Sequence, residues 1–199
     1  MFFVSVVVEP PEMDLCFAVS ATAALSQKTF NLMKKSIIDV VDTYGAGKVR
    51  YSVVLFGSVA RLVVKFSDGA LDPTRLKGAI GSLVPSSGAP ALDEALERSL
   101  ESFKDGEDRP NARKVLIVML DNESGLQLSD IMLKTRALET KNIRVITVGI
   151  GDSTNKEELE TMASDNRDIL LVPTSEPPSM LSKDIMVLVL TGKWHRRLW

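Results

Sequence analysis

Apolar residues along this chain come in two rhythms, short runs and spaced faces, and the two alternate from one end to the other. Residues 115–120 are unbroken apolar and 13–19 nearly so, the pattern of strands buried on both faces of a parallel sheet. After the first run, Phe30, Met33, Ile37, Val41 and Tyr44 recur at helical spacing, with Lys34, Lys35 and Asp39 on the wet side. Gly45-Ala46-Gly47 stops that helix. Residues 51–56 and 60–66 read as two strands joined at Gly57-Ser58-Val59, a hairpin. A shorter helix spans 71–83, and the loop Pro85-Ser86-Ser87-Gly88-Ala89 leads to a helix with Leu92, Leu96, Leu100 and Phe103 on one face. A charged surface loop covers 105–109. Beyond it, 128–138 is helical and 143–148 is a strand. The capping box Thr154-Asn155-Lys156-Glu157 opens a helix with Leu159 and Met162 inward, 169–172 is a short strand, and 179–190 is a final helix. Such alternation means a mostly parallel sheet covered on both faces.

Two strand ends carry the chemistry. The run at 115–120 stops on Asp121, and a carboxylate there lies where open α/β sheets bind their ligands. The run at 13–19 passes into Ser20-Ala21-Thr22-Ala23-Ala24 and then a helix. Together with the order of elements, these stretches resemble the von Willebrand factor A domain over roughly residues 13–190. The stretches that carry the likeness best are 13–19, the helix with Phe30 and Met33, 51–66, 115–121 and 144–152. The resemblance implies a doubly wound, Rossmann-like α/β fold, with one antiparallel edge strand on a mostly parallel sheet and helices on both faces. In style the chain is similar to the extracellular modules of matrix proteins such as collagens and matrilins, although intracellular members exist. The single helix after Asp121 argues against a much larger integrin-type insert.

In that family the first strand ends Asp-x-Ser-x-Ser and the fourth ends Thr-Asp-Gly, and these residues build a metal-ion-dependent adhesion site. Here the first aspartate falls on Ser20, the first serine on Thr22 and the second serine on Ala24. The family's threonine, from the loop before the third helix, falls on Pro90, and the last aspartate is kept as Asp121. Magnesium demands oxygen ligands in near-octahedral geometry, with carboxylates offsetting its dehydration. Ala24 and Pro90 offer no side-chain oxygen, and Ser20 removes one of two negative charges. Thr22 still supplies a hydroxyl. Ser86, Ser87 and Glu123 are the nearby oxygens, and nothing in their spacing makes them replacements. The expectation is a degenerate site holding no magnesium or other cofactor, with Asp121 capping loop amides or facing water.

Other signals explain less. Gly45-Ala46-Gly47-Lys48 has Asp42 where a phosphate-binding loop needs glycine, and it follows a helix rather than a strand. Gly149-Ile150-Gly151-Asp152-Ser153-Thr154 begins like a dinucleotide fingerprint but has Thr154 at the third glycine position. Asn122-Glu123-Ser124 is an acceptor sequon for N-glycosylation at the edge that holds Asp121, where a sugar would crowd the old metal face. The single cysteine, Cys16, falls inside the first strand and reads as a small core residue. Asp93, Glu94 and Glu97 read as the solvated side of a helix. The single histidine, His195, lies beyond the last helix, too remote for a catalytic pair without the tail folding back.

Charge and length remove further classes. With 24 Lys and Arg against 26 Asp and Glu, the net charge of -2 gives no electrostatic case for nucleic acid. No apolar stretch approaches the roughly 20 residues a bilayer span requires. Residues 1–12 read as a lead-in segment or edge strand, since no basic flank or cleavage site marks a signal peptide. Residues 13–190 form the domain, and 191–199 are a basic-aromatic tail. The reading that results is a non-enzymatic protein-interaction module, extracellular by family style, binding a macromolecular partner without metal. The partner is a matrix component or a second copy. The alternative is a structural module that mediates self-association within a larger protein.

Overall fold

The computed structural model describes residues 10–69, 72–86, 88–105 and 109–191, so the lead-in at 1–9, Ser87 and the tail with His195 lie outside the described residues. Strands form where the apolar runs lie: β1 (Met13–Ser20), β2 (Val49–Phe56), β3 (Ala60–Val64), β4 (Arg113–Leu120), β5 (Ile143–Ile150) and β6 (Ile169–Val172). They pair in the order β3-β2-β1-β4-β5-β6, and β3 alone runs antiparallel to its neighbour. Successive side chains point to opposite faces. Leu15, Phe17 and Val19 of β1 therefore join one core, with Val115, Ile117 and Met119 of β4. Cys16, Ala18, Leu116, Val118 and Leu120 join the other. Each fully buried large side chain of this kind stabilises the fold by roughly 1.5–3 kcal/mol.

The first core is covered by α1 (Gln27–Tyr44), α3 (Pro73–Gly81) and α7 (Pro178–Thr191), and the second by α4 (Leu92–Asp105), α5 (Leu128–Glu139) and α6 (Lys156–Met162). Helix α1 starts at Ser26, whose hydroxyl accepts the Thr29 amide at 3.0 Å. It ends at Gly45, where φ of 66° suits glycine and the amide returns to Val41.

Four local expectations need correction. The strand foreseen over 60–66 stops at Val64, and Phe66 opens a short helix, α2 (Phe66–Gly69). That turn swings Phe66 into the core against Phe103, ring centroids 5.1 Å apart. The cap of α6 is Asn155, not Thr154, because the Asn155 carboxamide accepts from the amides of Glu157 and Glu158. Lys34 is not simply wet: its ammonium donates to the carbonyls of Gly81 and Leu83, closing the end of α3. Glu94 is not simply solvated, since it accepts the Ala60 amide of edge strand β3 at 2.7 Å.

Charges buried at the N-terminal edge of the sheet are paired, as burial requires. Asp14, 3% exposed, takes a two-pronged contact from Arg50 at 2.8 Å and a third bond from Arg109. Arg144 makes a two-pronged pair with buried Asp168 and also donates to the Leu188 carbonyl at 2.7 Å. With Arg113 on the Leu190 carbonyl, it satisfies the last turn of α7.

The order of strands locates the site. From β1 the chain crosses to β2 on one side, and from β4 to β5 on the other. The switch point therefore lies between the C-terminal ends of β1 and β4.

Candidate site at the switch point

Ser20 ends β1 and Asp121 follows β4, and the two side chains meet across the switch point. The Ser20 hydroxyl donates to Asp121 Oδ1 at 2.8 Å. The second carboxylate oxygen accepts a long bond, 3.4 Å, from the side-chain amide of Asn122. Asp121 thus takes a hydroxyl and a side-chain amide, rather than capping loop amides. None of the ion pairs among the described residues includes it.

The rim is built from tight backbone. The Ser86 amide and hydroxyl both donate to the Ala21 carbonyl, at 2.7 and 3.3 Å, while the Ala21 amide bonds Phe56 at the end of β2. Gly57 stands so close that an added Cβ would lie 2.0 Å from the Ser86 hydroxyl and 3.2 Å from the Ala21 carbonyl oxygen, so a side chain here would force Ser86 to shift. The Ala91 amide bonds the Gly57 carbonyl at 2.7 Å, fixing the entry to α4 beside Pro90.

Thr22 is buried, and its hydroxyl has no hydrogen-bond partner among the described residues. Ala24 is exposed, and Pro90 is half-buried. A divalent cation therefore meets one carboxylate already engaged by Ser20, one buried hydroxyl, and two positions without a side-chain oxygen. The Ser86 hydroxyl is committed to Ala21, and Glu123 is exposed to solvent. No group of three or more His, Cys, Asp or Glu among the described residues is placed to hold a metal. These residues do not fit the hexacoordinate oxygen shell of magnesium.

A residue that sequence reasoning missed holds the loop after Asp121. Glu158, 3% exposed on α6, accepts the Ser124 amide at 3.0 and 3.1 Å and also the Ser124 hydroxyl. Only its place beside the helix start hinted at a role. Its partner is 34 residues away, beyond any local pattern.

A doubly wound sheet whose polar residues gather at the switch point defines the class, and the comparisons define the family. The model of the von Willebrand factor type A domain matches residues 14–179, and the chain belongs to that family. It is 26% identical to the human collagen alpha-5(VI) chain over 159 residues, which are 78% of this chain and 6% of the collagen chain. The chain thus spans a small fraction of that relative's length. Among solved structures it resembles proximal thread matrix protein 1 of the mussel byssus, with a TM-score of 0.82 and 23% identity, over 90% of this chain and 48% of that one. Another structure of the mussel protein has a zinc-occupied MIDAS motif and superposes with a TM-score of 0.76 at 23% identity, over 91% of this chain and 46% of that one. Manganese-loaded TRAP protein of Plasmodium vivax aligns with a TM-score of 0.70 at 15% identity, over 87% of this chain and 72% of that one. At these identities the structural likeness speaks for the fold.

Proposed function

We propose that this domain is a non-enzymatic interaction module of an extracellular matrix or adhesion protein, and that it binds a macromolecular partner without a bridging metal ion. The observation that carries the reading is the Ser20–Asp121 hydrogen bond. A hydroxyl occupies the position where the family holds a second carboxylate, and it bonds the one carboxylate that remains. The likeness to a collagen chain and to a byssal thread protein supports the matrix setting and a protein partner. Catalysis has no support in the chain's one thiol. Cys16 is fully buried, and burial pushes its pKa up to about 12, which keeps it from acting as a nucleophile.

The test is capture of purified matrix proteins by the immobilised chain, in chelator and in magnesium. Equal capture in both supports the reading. Repairing the site with Ser20→Asp, Ala24→Ser and Pro90→Thr should leave that capture unimproved. Binding that appears only after the repair would contradict it.

A second reading, self-association as an assembly module, draws on α7, where Met180, Val187 and Leu190 are exposed. Sedimentation over a concentration series in chelator separates the two. Reversible oligomers favour assembly, and a monomer throughout removes it.

A further inference from the structure

One motif at the switch-point edge takes no part in the Ser20–Asp121 contact. Asn122-Glu123-Ser124 is the only Asn-x-Ser/Thr in the chain, and its middle residue is not proline. We infer that Asn122 carries an N-linked oligosaccharide when the chain passes through a secretory pathway, and that this glycan stands over the Ser20–Asp121 edge. The inference rests on the extracellular reading above.

The loop's construction supports it. Asp121 is tied to Ser20 at one end, and Ser124 is tied to Glu158 at the other by its amide and its hydroxyl. Asn122 and Glu123 form the crest between these anchors, Asn122 half-buried and Glu123 exposed. Among the described residues the Asn122 amide nitrogen makes a single hydrogen bond, the 3.4 Å contact to Asp121, at the weak end of the range. That nitrogen carries two hydrogens. Glycosylation replaces one of them and leaves the other as a donor, so this one weak contact is all that the change touches among the described hydrogen bonds of that nitrogen.

Transfer takes place on the extended chain, before Ser124 meets Glu158. The donor is a lipid-pyrophosphate-linked oligosaccharide. The bond from Asn122 Nδ2 to the sugar C1 forms as the bond from C1 to the pyrophosphate oxygen breaks. The amide gives up one proton, and the lipid pyrophosphate leaves. Folding then fixes the crest, and a bulky polar chain rises beside Asp121. A protein partner is turned away from this edge and toward the helical flanks.

The experiment expresses the full chain behind an added secretory leader in eukaryotic cells and recovers it from the medium or the secretory lumen. Peptide-N-glycosidase treatment followed by peptide mass spectrometry reads position 122. The expected result is a glycosidase-sensitive mass shift that leaves aspartate at 122. It persists in Ser124→Thr, which keeps both the sequon and the hydroxyl for Glu158, and it is lost in Asn122→Gln. Secreted chain with unmodified Asn122 overturns the inference while leaving the extracellular reading standing. Retention of the native protein in the cytosol of its own cells overturns that reading, and the leader experiment still reports on the site.

Discussion

Ser20 and Asp121 lie 101 residues apart in sequence and share a 2.8 Å hydrogen bond that closes the switch point between β1 and β4. A hydroxyl-to-carboxylate bond in a half-buried setting contributes about 1–2 kcal/mol. Ser20→Ala should lower unfolding stability by that amount in urea titration, equally with and without chelator. A loss seen only in the presence of divalent ions would mean that Ser20 serves a cation instead.

The loop beyond Asp121 depends on Glu158. Glu158→Ala strips the Ser124 amide of its partner and should cost about 1–3 kcal/mol. Amide exchange should quicken across residues 122–126 with little change in the central strands. Uniform acceleration over the whole sheet would show that Glu158 supports the core at large rather than this loop.

At the opposite edge, Asp14 holds two arginines. Asp14→Ala removes the buried carboxylate that both arginines share and should cost about 3–5 kcal/mol in denaturant. Replacing Asp14 and Arg50 together by apolar residues of similar volume should cost less than the single change. If the double variant is the worse one, the triad contributes more than charge pairing.

Alkaline pH should loosen the fold. Burial pushes Cys16 from 9.0 up to about 12 and Tyr44 from 10.0 up to about 12. Tyr51 is pushed up by burial and by the neighbouring Tyr44. In each case the folded state holds its proton after the unfolded chain has released it. The resulting stability is fully present below about pH 9 and is lost as pH rises toward 12. Urea midpoints across that window should fall, and Cys16→Ala should make the early part of the decline shallower. An unchanged slope in that variant would remove Cys16 from the account.

The alternation of runs and helical faces was enough to find the six strands seen among the described residues, because each strand's pattern is set by burial on the sheet, while the antiparallel strand at the edge was implied by the family resemblance. The break at Phe66 was hidden, because an aromatic residue at the end of an apolar run reads the same in a strand or a buried turn. The family resemblance also set Ser20 and Asp121 at one site, but not how they pair. Ser20 to Asp121 and Ser124 to Glu158 are tertiary bonds, set by strand register and helix docking rather than by spacing along the chain. The capping box failed for a local reason: Thr154 turned back to the Gly151 carbonyl, leaving the cap to Asn155.

The central claim is that the switch point works without metal, and a thermal melt tests it most directly. The purified chain is melted in chelator and across a millimolar series of magnesium, manganese and calcium. A cation that binds the folded state selectively must raise the melting temperature by mass action. The account predicts the same melting temperature in every condition. A saturable rise that disappears in Asp121→Ala would contradict it, because it would mean that these few oxygens hold a cation after all.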